Sequence, residues 1–311
     1  MKLKQTHTPR SHLAPATLTL VVAALIALPA VCGADTIYLS ETGHYTVDKF
    51  TSGGVGSVIA GAGYFAPPFT EPFGMAFDGT GNLFVADGYS NTIQKITPGG
   101  VVSVFSSNGL NNPTGLAFDG SGNLYAANWG NGTIEKFTPN GVGSVFASTG
   151  LDSPWGMAFD SVGNLFVASS DNTIVRFTPN GASSLFANSG LSSPFGLAFD
   201  NTGNLFVANA SNNTIEKFTP GGVGSVFANT GLNVPSGLAF DSAGNLYVAS
   251  QADGKIVKFT PGGQGSVFAS GLKAPTFIAI VPEPSAVGLL GIGIALLFVN
   301  RFKHQRAPER F

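Results

Sequence analysis

The chain has 311 residues, of which 10% are charged, and its formal net charge is −2. Its single cysteine, Cys32, excludes a disulfide within the chain, so a folded domain must depend on its apolar core. Between residues 35 and 281 there are 8 basic and 15 acidic residues, which argues against a nucleic acid as partner because phosphate binding needs a basic patch.

The first 34 residues have the pattern of a signal peptide. Basic residues among the first ten precede an apolar run over residues 18–30, and small residues stand at Cys32 and Ala34. This order is typical of a secretory signal. The apolar run is also shorter than the ~20 residues that a membrane-spanning helix needs. We therefore expect cleavage near Ala34 and export through the inner membrane.

A unit of about 40 residues is repeated along the middle of the chain. Its copies are identified by marker prolines 40 or 41 residues apart: Pro72, Pro113, Pro154, Pro194, Pro235 and Pro275. A fixed period of this length is typical of repeat architectures, including propellers. Five copies are complete, and the sixth stops after its first predicted strand.

Each copy predicts four short strands. In one of them the strands are residues 196–200, 204–208, 214–218 and 224–228, rich in aromatic and β-branched residues and separated by Gly, Pro and Asn. Four antiparallel strands per repeat are typical of a propeller blade. The second strand is apolar on both faces, as expected of a sheet packed between two neighbours.

The incomplete sixth copy predicts how the ring closes. Residues 36–60 align with residues 164–187 and supply three strands, while residues 276–280 supply the fourth. One blade is then shared between the two ends, which removes exposed terminal edges. We predict an all-β, six-bladed β-propeller of four-stranded blades over residues 35–281.

The repeated sequence motifs resemble those of NHL repeats. The shared motifs are "PxGLAFDxxGNLFVAD" and "NTIxKFTPxG", and the resemblance covers residues 35–281. It implies a six-bladed propeller of the NHL kind. It implies little about activity, because that fold hosts binding modules, lyases and lactonases.

Residues 281–311 combine a short motif, an apolar stretch and a basic tail. The motif and tail residues are Val281, Pro282, Glu283, Pro284, Arg301, Lys303 and Arg306. This order resembles the PEP-CTERM sorting signal of Gram-negative bacteria over residues 282–311. The resemblance implies a transmembrane helix, processing by an exosortase, and release to the cell surface or an exopolysaccharide matrix. An unprocessed inner-membrane anchor, with the propeller in the periplasm, is the alternative.

Residues that recur in every copy are expected to build the blades. Aspartates recur at one position of the five complete copies: Asp78, Asp119, Asp160, Asp200 and Asp241. Each precedes a glycine by three residues. Because Asp accepts backbone hydrogen bonds at a turn and Gly adopts positive φ, we interpret these pairs as turns and not as calcium ligands.

Binding residues are expected where the copies differ, on the face formed by the loops after the second strand and before the marker proline. Aromatic rings can pack against sugar CH groups while polar neighbours bond the hydroxyls. The candidates are Phe73, Asp87, Tyr89, Asn128, Trp129, Trp155, Phe195 and Asn209. Alternatively, Phe73, Trp155 and Phe195 fill the gaps between blades. Trp129, which lies beside two glycines, is expected to be exposed.

An enzyme on this fold needs acid–base groups or a metal. The predicted propeller has one histidine, His44, so it cannot form a zinc site or match the histidines of virginiamycin B lyase-like and peptide-amidating lyase-like propellers. Calcium lactonases of the gluconolactonase kind bind their metal through acids and amides. Glu41, Asp87, Asn128 and Asn209 stand at suitable loop positions for this, although only two of them are acidic.

We therefore expect an exported, non-catalytic binding or scaffold protein without cofactor or resident metal. Its expected partners are the processing exosortase and an exopolysaccharide or surface protein of the envelope. A calcium-dependent lactonase- or lyase-like enzyme is the alternative.

Overall fold

The computed structural model describes residues 35–61 and 68–281. Within these ranges no helix has the length and hydropathy of a membrane span. The predicted signal peptide, transmembrane helix and sorting motif lie outside the described residues, except for Val281, which ends the last strand.

The described residues form six antiparallel sheets of four strands each. The closing blade contains β1 (Thr36–Glu41), β2 (Thr46–Phe50), β3 (Gly56–Ala60) and β24 (Pro275–Val281). Blade 1 contains β4 (Pro72–Phe77), β5 (Leu83–Asp87), β6 (Thr92–Ile96) and β7 (Val102–Ser106). Blade 2 contains β8 (Pro113–Phe118), β9 (Leu124–Asn128), β10 (Thr133–Phe137) and β11 (Gly143–Ala147).

The other three blades repeat this order. Blade 3 contains β12 (Met157–Phe159), β13 (Leu165–Ser169), β14 (Thr173–Phe177) and β15 (Ser183–Ala187). Blade 4 contains β16 (Pro194–Phe199), β17 (Leu205–Asn209), β18 (Thr214–Phe218) and β19 (Gly224–Ala228). Blade 5 contains β20 (Pro235–Phe240), β21 (Leu246–Ser250), β22 (Lys255–Phe259) and β23 (Gly265–Ser270). The chain is thus a six-bladed β-propeller, as the repeat predicted.

The closing blade joins the two ends of the repeat region. Strand β1 pairs with β2 on one side and with β24 on the other, and Leu39 lies opposite Ile278. The prediction of a shared blade made from residues 36–60 and 276–280 is therefore confirmed. The innermost strands then contact one another in a complete circle, because β24 touches both β20 and β4.

Glycine sets how closely the innermost strands approach. A Cβ atom at Gly74, Gly115, Gly156 or Gly196 would overlap the backbone carbonyl of the next innermost strand, and a Cβ at Gly237 would be nearly as close. At this position a side chain would have to push two strands apart. The third residue of each complete repeat is therefore glycine for reasons of packing.

Aromatic side chains fill the wedges between blades. In blade 4 the ring of Phe206 meets the edges of Phe227 and Phe240, the latter from blade 5, at centroid distances of 5.0 Å. Lys217 places its ammonium group 5.4 Å from the Phe206 centroid. The same arrangement recurs around Phe84 and Tyr125, whereas Tyr247 has one such ring, Phe268, and its lysine, Lys258. Burial of every residue of the second strands of blades 1 to 5 confirms that both faces of these sheets are packed.

The recurring aspartates build turns. Asp78 Oδ1 accepts hydrogen bonds from the backbone N–H groups of Thr80 and Asn82, and Gly81 has a φ of 84°. The other four copies show the same backbone bonds. The interpretation of these aspartates as structural is confirmed.

Replacing one inner glycine tests this packing. Gly196→Ala is expected to lower the free energy of unfolding by about 3 kcal/mol, the upper range for overpacking a core. Gly120→Ala is the matched control, because a Cβ there would meet no atom within 4 Å. Urea unfolding followed by circular dichroism measures both variants. If Gly196→Ala and Gly120→Ala were equally stable, the close contact between the innermost strands would not be important for stability.

Candidate binding surface on the loop face

The loop face of the propeller consists of the loops that follow the second strands and the loops that precede the marker prolines. Backbone hydrogen bonds link the two sets: Trp129 donates to the carbonyl of Asn112, and Ser170 donates to that of Asp152. Neighbouring blades are also linked, since the Asn91 side chain accepts from the backbone N–H of Asn112 over 2.6 Å. The face is therefore a bonded ring of loops and not a set of free ones.

Three of the predicted site residues do not reach the surface of this face. Asp87, Asn128 and Asn209 each end a second strand and have no exposed surface. Ser169 and Ser250 occupy the same position in blades 3 and 5 and are equally buried, and Glu41, the equivalent residue of the closing blade, is 2% exposed. Burial places these six polar side chains under the loops, so Asp87, Asn128 and Asn209 are not part of the exposed rim that the sequence predicted.

Their polar atoms bond the backbone of the overlying loop. Asp87 Oδ1 accepts from the N–H groups of Thr70 and Glu71, at 3.1 and 2.6 Å. Asn128 accepts from the N–H of Asn111 and donates to the carbonyl of Gly109. Buried backbone groups need partners, and these side chains supply them. These side chains, which were the candidate calcium ligands of the enzyme alternative, therefore bind the protein's own loops.

The aromatic candidates other than Tyr89, in contrast, lie close to one another on the loop face. Trp155 stacks on Phe195 with a centroid distance of 4.3 Å and an interplanar angle of 27°. Phe73 and Trp129 each lie 6.0 Å from the Trp155 ring. Phe277 extends the row from the other side of Phe195, at 5.5 Å. Five rings thus form a continuous aromatic row, which we call the mouth cluster: Phe73, Trp129, Trp155, Phe195 and Phe277.

Exposure differs along this row. Phe73 is only 9% exposed, which agrees with the alternative that it fills a gap between blades. Trp129 is 39% exposed, and Trp155 and Phe195 are half-buried. Tyr89, another candidate, is 70% exposed and lies in a loop after β5. The prediction of an exposed Trp129 is confirmed.

A small cavity opens beside the stacked pair. It has a volume of about 250 Å³ and is lined by Trp155, Ser170, Ser193, Pro194 and Phe195. Drug-sized ligands occupy pockets of roughly 300–1,000 Å³, so this cavity suits a single ring and not a large molecule. Its lining combines one aromatic platform with the hydroxyls of Ser170 and Ser193, which also bond the Ser153 carbonyl and the Ser211 hydroxyl, and contains no ionisable group. Such a site can bind a neutral polar ring but offers no acid or base for catalysis.

Phe277, Ser170 and Ser193 were not among the site residues predicted from the sequence. Phe277 stands where the five complete copies have their inner glycine, so an alignment of Pro275 with the other marker prolines would have found it. Ser170 and Ser193 had no such signal, because serine is common in these loops. Their proximity to Trp155 depends on how neighbouring blades meet.

Two larger grooves open on the opposite face, with volumes of about 660 and 500 Å³. Asp200 lines both, but its oxygens already accept bonds from Thr202 and Asn204 in its own turn. These hydrogen bonds also hold the pKa of Asp200 below its usual value, although burial opposes them. The grooves are the outer ends of the aromatic wedges between blades, and their walls recur in every repeat.

The closing blade contains a separate group of ionisable side chains. Glu41 is 2% exposed, and its Oε2 lies 2.9 Å from Nδ1 of His44. Burial raises the pKa of Glu41 despite this contact. Burial, together with the nearby charge of Glu41, also raises the pKa of Asp48 to about 6. Among residues 35–61 and 68–281, no three His, Cys, Asp or Glu side chains are arranged to bind a metal ion.

The comparisons with known proteins support the fold. No protein-family model matches the chain, and no curated protein matches it. A chain in a crystal structure of a nidogen–laminin complex is 20% identical, with a TM-score of 0.70 over 79% of this chain and 98% of that one. Virginiamycin B lyase from Staphylococcus aureus is 17% identical, with a TM-score of 0.62 over 80% of this chain and 88% of that one.

A third solved structure is that of a candidate gluconolactonase. It is 19% identical, with a TM-score of 0.59 over 68% of this chain and 81% of that one. At sequence identities of 17–20%, the structural similarity supports the propeller fold and nothing about function. Because the three structures come from a complex between proteins, a lyase and a lactonase candidate, fold likeness does not choose between binding and catalysis.

Because the pKa of Asp48 is raised, replacing this residue should increase the free energy of unfolding, and the increase should depend on pH. The folded state binds the proton more tightly than the unfolded chain, so ionisation of Asp48 reduces stability as the pH rises from about 4 to 6. Asp48→Asn should raise the free energy of unfolding by about 3 kcal/mol at pH 8, at about 1.4 kcal/mol per pKa unit, and by almost nothing at pH 4.

Denaturant unfolding at the two pH values measures this difference. Asp171→Asn, at an exposed position, is the control and should give no comparable gain. An Asp48→Asn gain of equal size at pH 4 and pH 8 would contradict the ionisation argument.

Proposed function

We propose that this protein is an exported, non-catalytic propeller that binds a neutral polysaccharide through the mouth cluster on its loop face. The observation that carries the proposal is the half-buried Trp155–Phe195 stack beside a cavity with two serine hydroxyls. The apolar faces of a sugar ring pack on aromatic rings, and its hydroxyls need hydrogen-bond partners close to them.

The charge around the cavity supports a neutral ligand. No lysine or arginine lines it. Ser170 is followed in sequence by the exposed Asp171, and the exposed Asp152 accepts the backbone hydrogen bond of Ser170. A uronic-acid polymer would meet negative charge here, whereas a neutral polymer would not.

A polymer also suits the shape of the surface. The cavity accommodates one sugar ring, while Trp129 and the exposed Tyr89 offer further apolar area on the same face. Neighbouring sugar units can pack there without a deeper pocket. Several weak contacts along one polymer then add to a useful affinity.

The ends of the chain support a location outside the inner membrane. The signal-peptide pattern and the resemblance of residues 282–311 to the PEP-CTERM signal favour processing by an exosortase and delivery to the envelope or its matrix. In that location the propeller would be in contact with matrix polysaccharide, which could therefore be its ligand.

A binding titration tests the proposal. The full chain, in a mild non-ionic detergent, is titrated with the neutral and acidic exopolysaccharide fractions of the producing bacterium by isothermal calorimetry. We expect saturable binding of the neutral fraction. Trp155→Ala should raise Kd at least tenfold, which equals about 1.4 kcal/mol. Val162→Ala, an exposed site on the opposite face, is the control and should bind like the wild type.

Other outcomes would replace the proposal. Equal binding by Trp155→Ala and the wild type would move the site away from the mouth cluster. Calcium-dependent hydrolysis of lactones by the wild type would favour the enzyme alternative. If no polysaccharide binds but a surface protein is captured through the same face, the ligand class proposed here is wrong.

A further inference from the structure

The outer edge of the propeller has an unusual composition. Each blade ends in a fourth strand that is the last of its sheet, and these strands are β3, β7, β11, β15, β19 and β23. Their sequences are GSVIA, VSVFS, GSVFA, SSLFA, GSVFA and GSVFAS. None of the six strands contains a charged residue or a proline.

The backbone of these strands is paired on one side only. Strand β11, for example, pairs with β10 and with no other strand of the described residues. Its second side presents peptide N–H and C=O groups outward. Such an edge can add a further strand, and natural proteins commonly prevent this with charge or proline on the edge.

Each edge also exposes one large apolar side chain at its centre. The six residues are Val58, Val104, Val145, Leu185, Val226 and Val267, with exposures between 57% and 62%. The third strand of each blade, one strand further in, does carry charged side chains, as with Glu135 and Lys136 on β10. The edge thus keeps an apolar centre although charged residues are available in the same repeat.

A β-bulge protects each outer strand against strand addition, but it affects only part of the strand. A bulge interrupts the pairing of β10 with β11 between Ile134 and Glu135, near the loop face. Bulges twist an edge and hinder strand addition. Below the bulge, Gly143, Ser144 and Val145 keep a regular register with β10. Three residues of open, uncharged edge therefore remain on each blade.

We infer that copies of this chain associate through their outer strands by antiparallel edge-to-edge pairing. The partner that pairs with an outer strand is a second copy of the chain, because two such identical, uncharged strands fit each other in an antiparallel pair. An antiparallel pair of identical uncharged strands satisfies the backbone groups of both, brings their central valine or leucine side chains together, and desolvates no charge. This inference is independent of the proposed sugar site, which lies on the loop face.

The number of edges determines the kind of assembly. Six similar edges around one ring allow a molecule to contact more than one neighbour, so association does not end at a dimer. Each contact involves few residues and is weak by itself. Several contacts per molecule would then support an extended assembly, which responds steeply to concentration.

Sedimentation of the full chain in non-ionic detergent tests the inference. The wild type should show a weight-average mass that rises with concentration beyond that of a dimer. The triple variant Val104→Lys, Val145→Lys and Val226→Lys places charge on three edges and should shift half-association to at least tenfold higher concentration.

A second triple variant controls for net charge. Ser121→Lys, Val162→Lys and Ala243→Lys add the same charge at exposed turn positions away from the edges. This variant should associate like the wild type. A wild type that remains monomeric at its highest soluble concentration would overturn the inference, as would equal weakening by both triple variants. Matching circular dichroism spectra and thermal unfolding midpoints verify that each variant is folded.

Discussion

The structure depends on the close contact of the innermost strands. Around the central axis, each complete repeat has a glycine where the next strand's carbonyl leaves no space for a Cβ atom. Strands this close at the axis must diverge outward, so wedge-shaped spaces open between the blades. Large aromatic rings in edge-to-face contact fill these spaces, which explains the high phenylalanine content. The inner glycines and the outer phenylalanines are two consequences of one geometry.

The buried polar side chains also serve the packing of the ring. At the end of each second strand a buried Asp, Asn, Ser or Glu bonds the backbone of the loop above it, as Asp87 does with Thr70 and Glu71. A polar side chain that satisfies buried backbone is not available to a ligand. Function is therefore left to side chains that the ring does not need, and on the loop face these include the stacked rings of Trp155 and Phe195.

The two exposed regions differ in how far they repeat. The loop face varies from blade to blade, since Trp155 and Phe195 have Thr114 and Ser236 as counterparts. The outer edges hardly vary at all, because the fourth strands carry nearly one sequence in six places. A varied surface can distinguish one ligand, whereas a repeated surface can make the same contact many times. A matrix protein that binds polymer and also associates with itself would use both.

The sequence by itself determined the blades and the ring. The period of the marker prolines, the turn signals and the match of residues 36–60 to an internal repeat indicated six blades with a shared closing blade. These features are readable because strands and turns depend on residues close in sequence, as the Asp78–Asn82 turn does. Only the tertiary structure decided the site. The partner of Asn128 lies 17 residues away in another loop. Phe277 reaches Phe195 only because the chain closes into a ring. Burial and ring stacking are set by contacts between blades, and a repeat unit taken alone does not contain them.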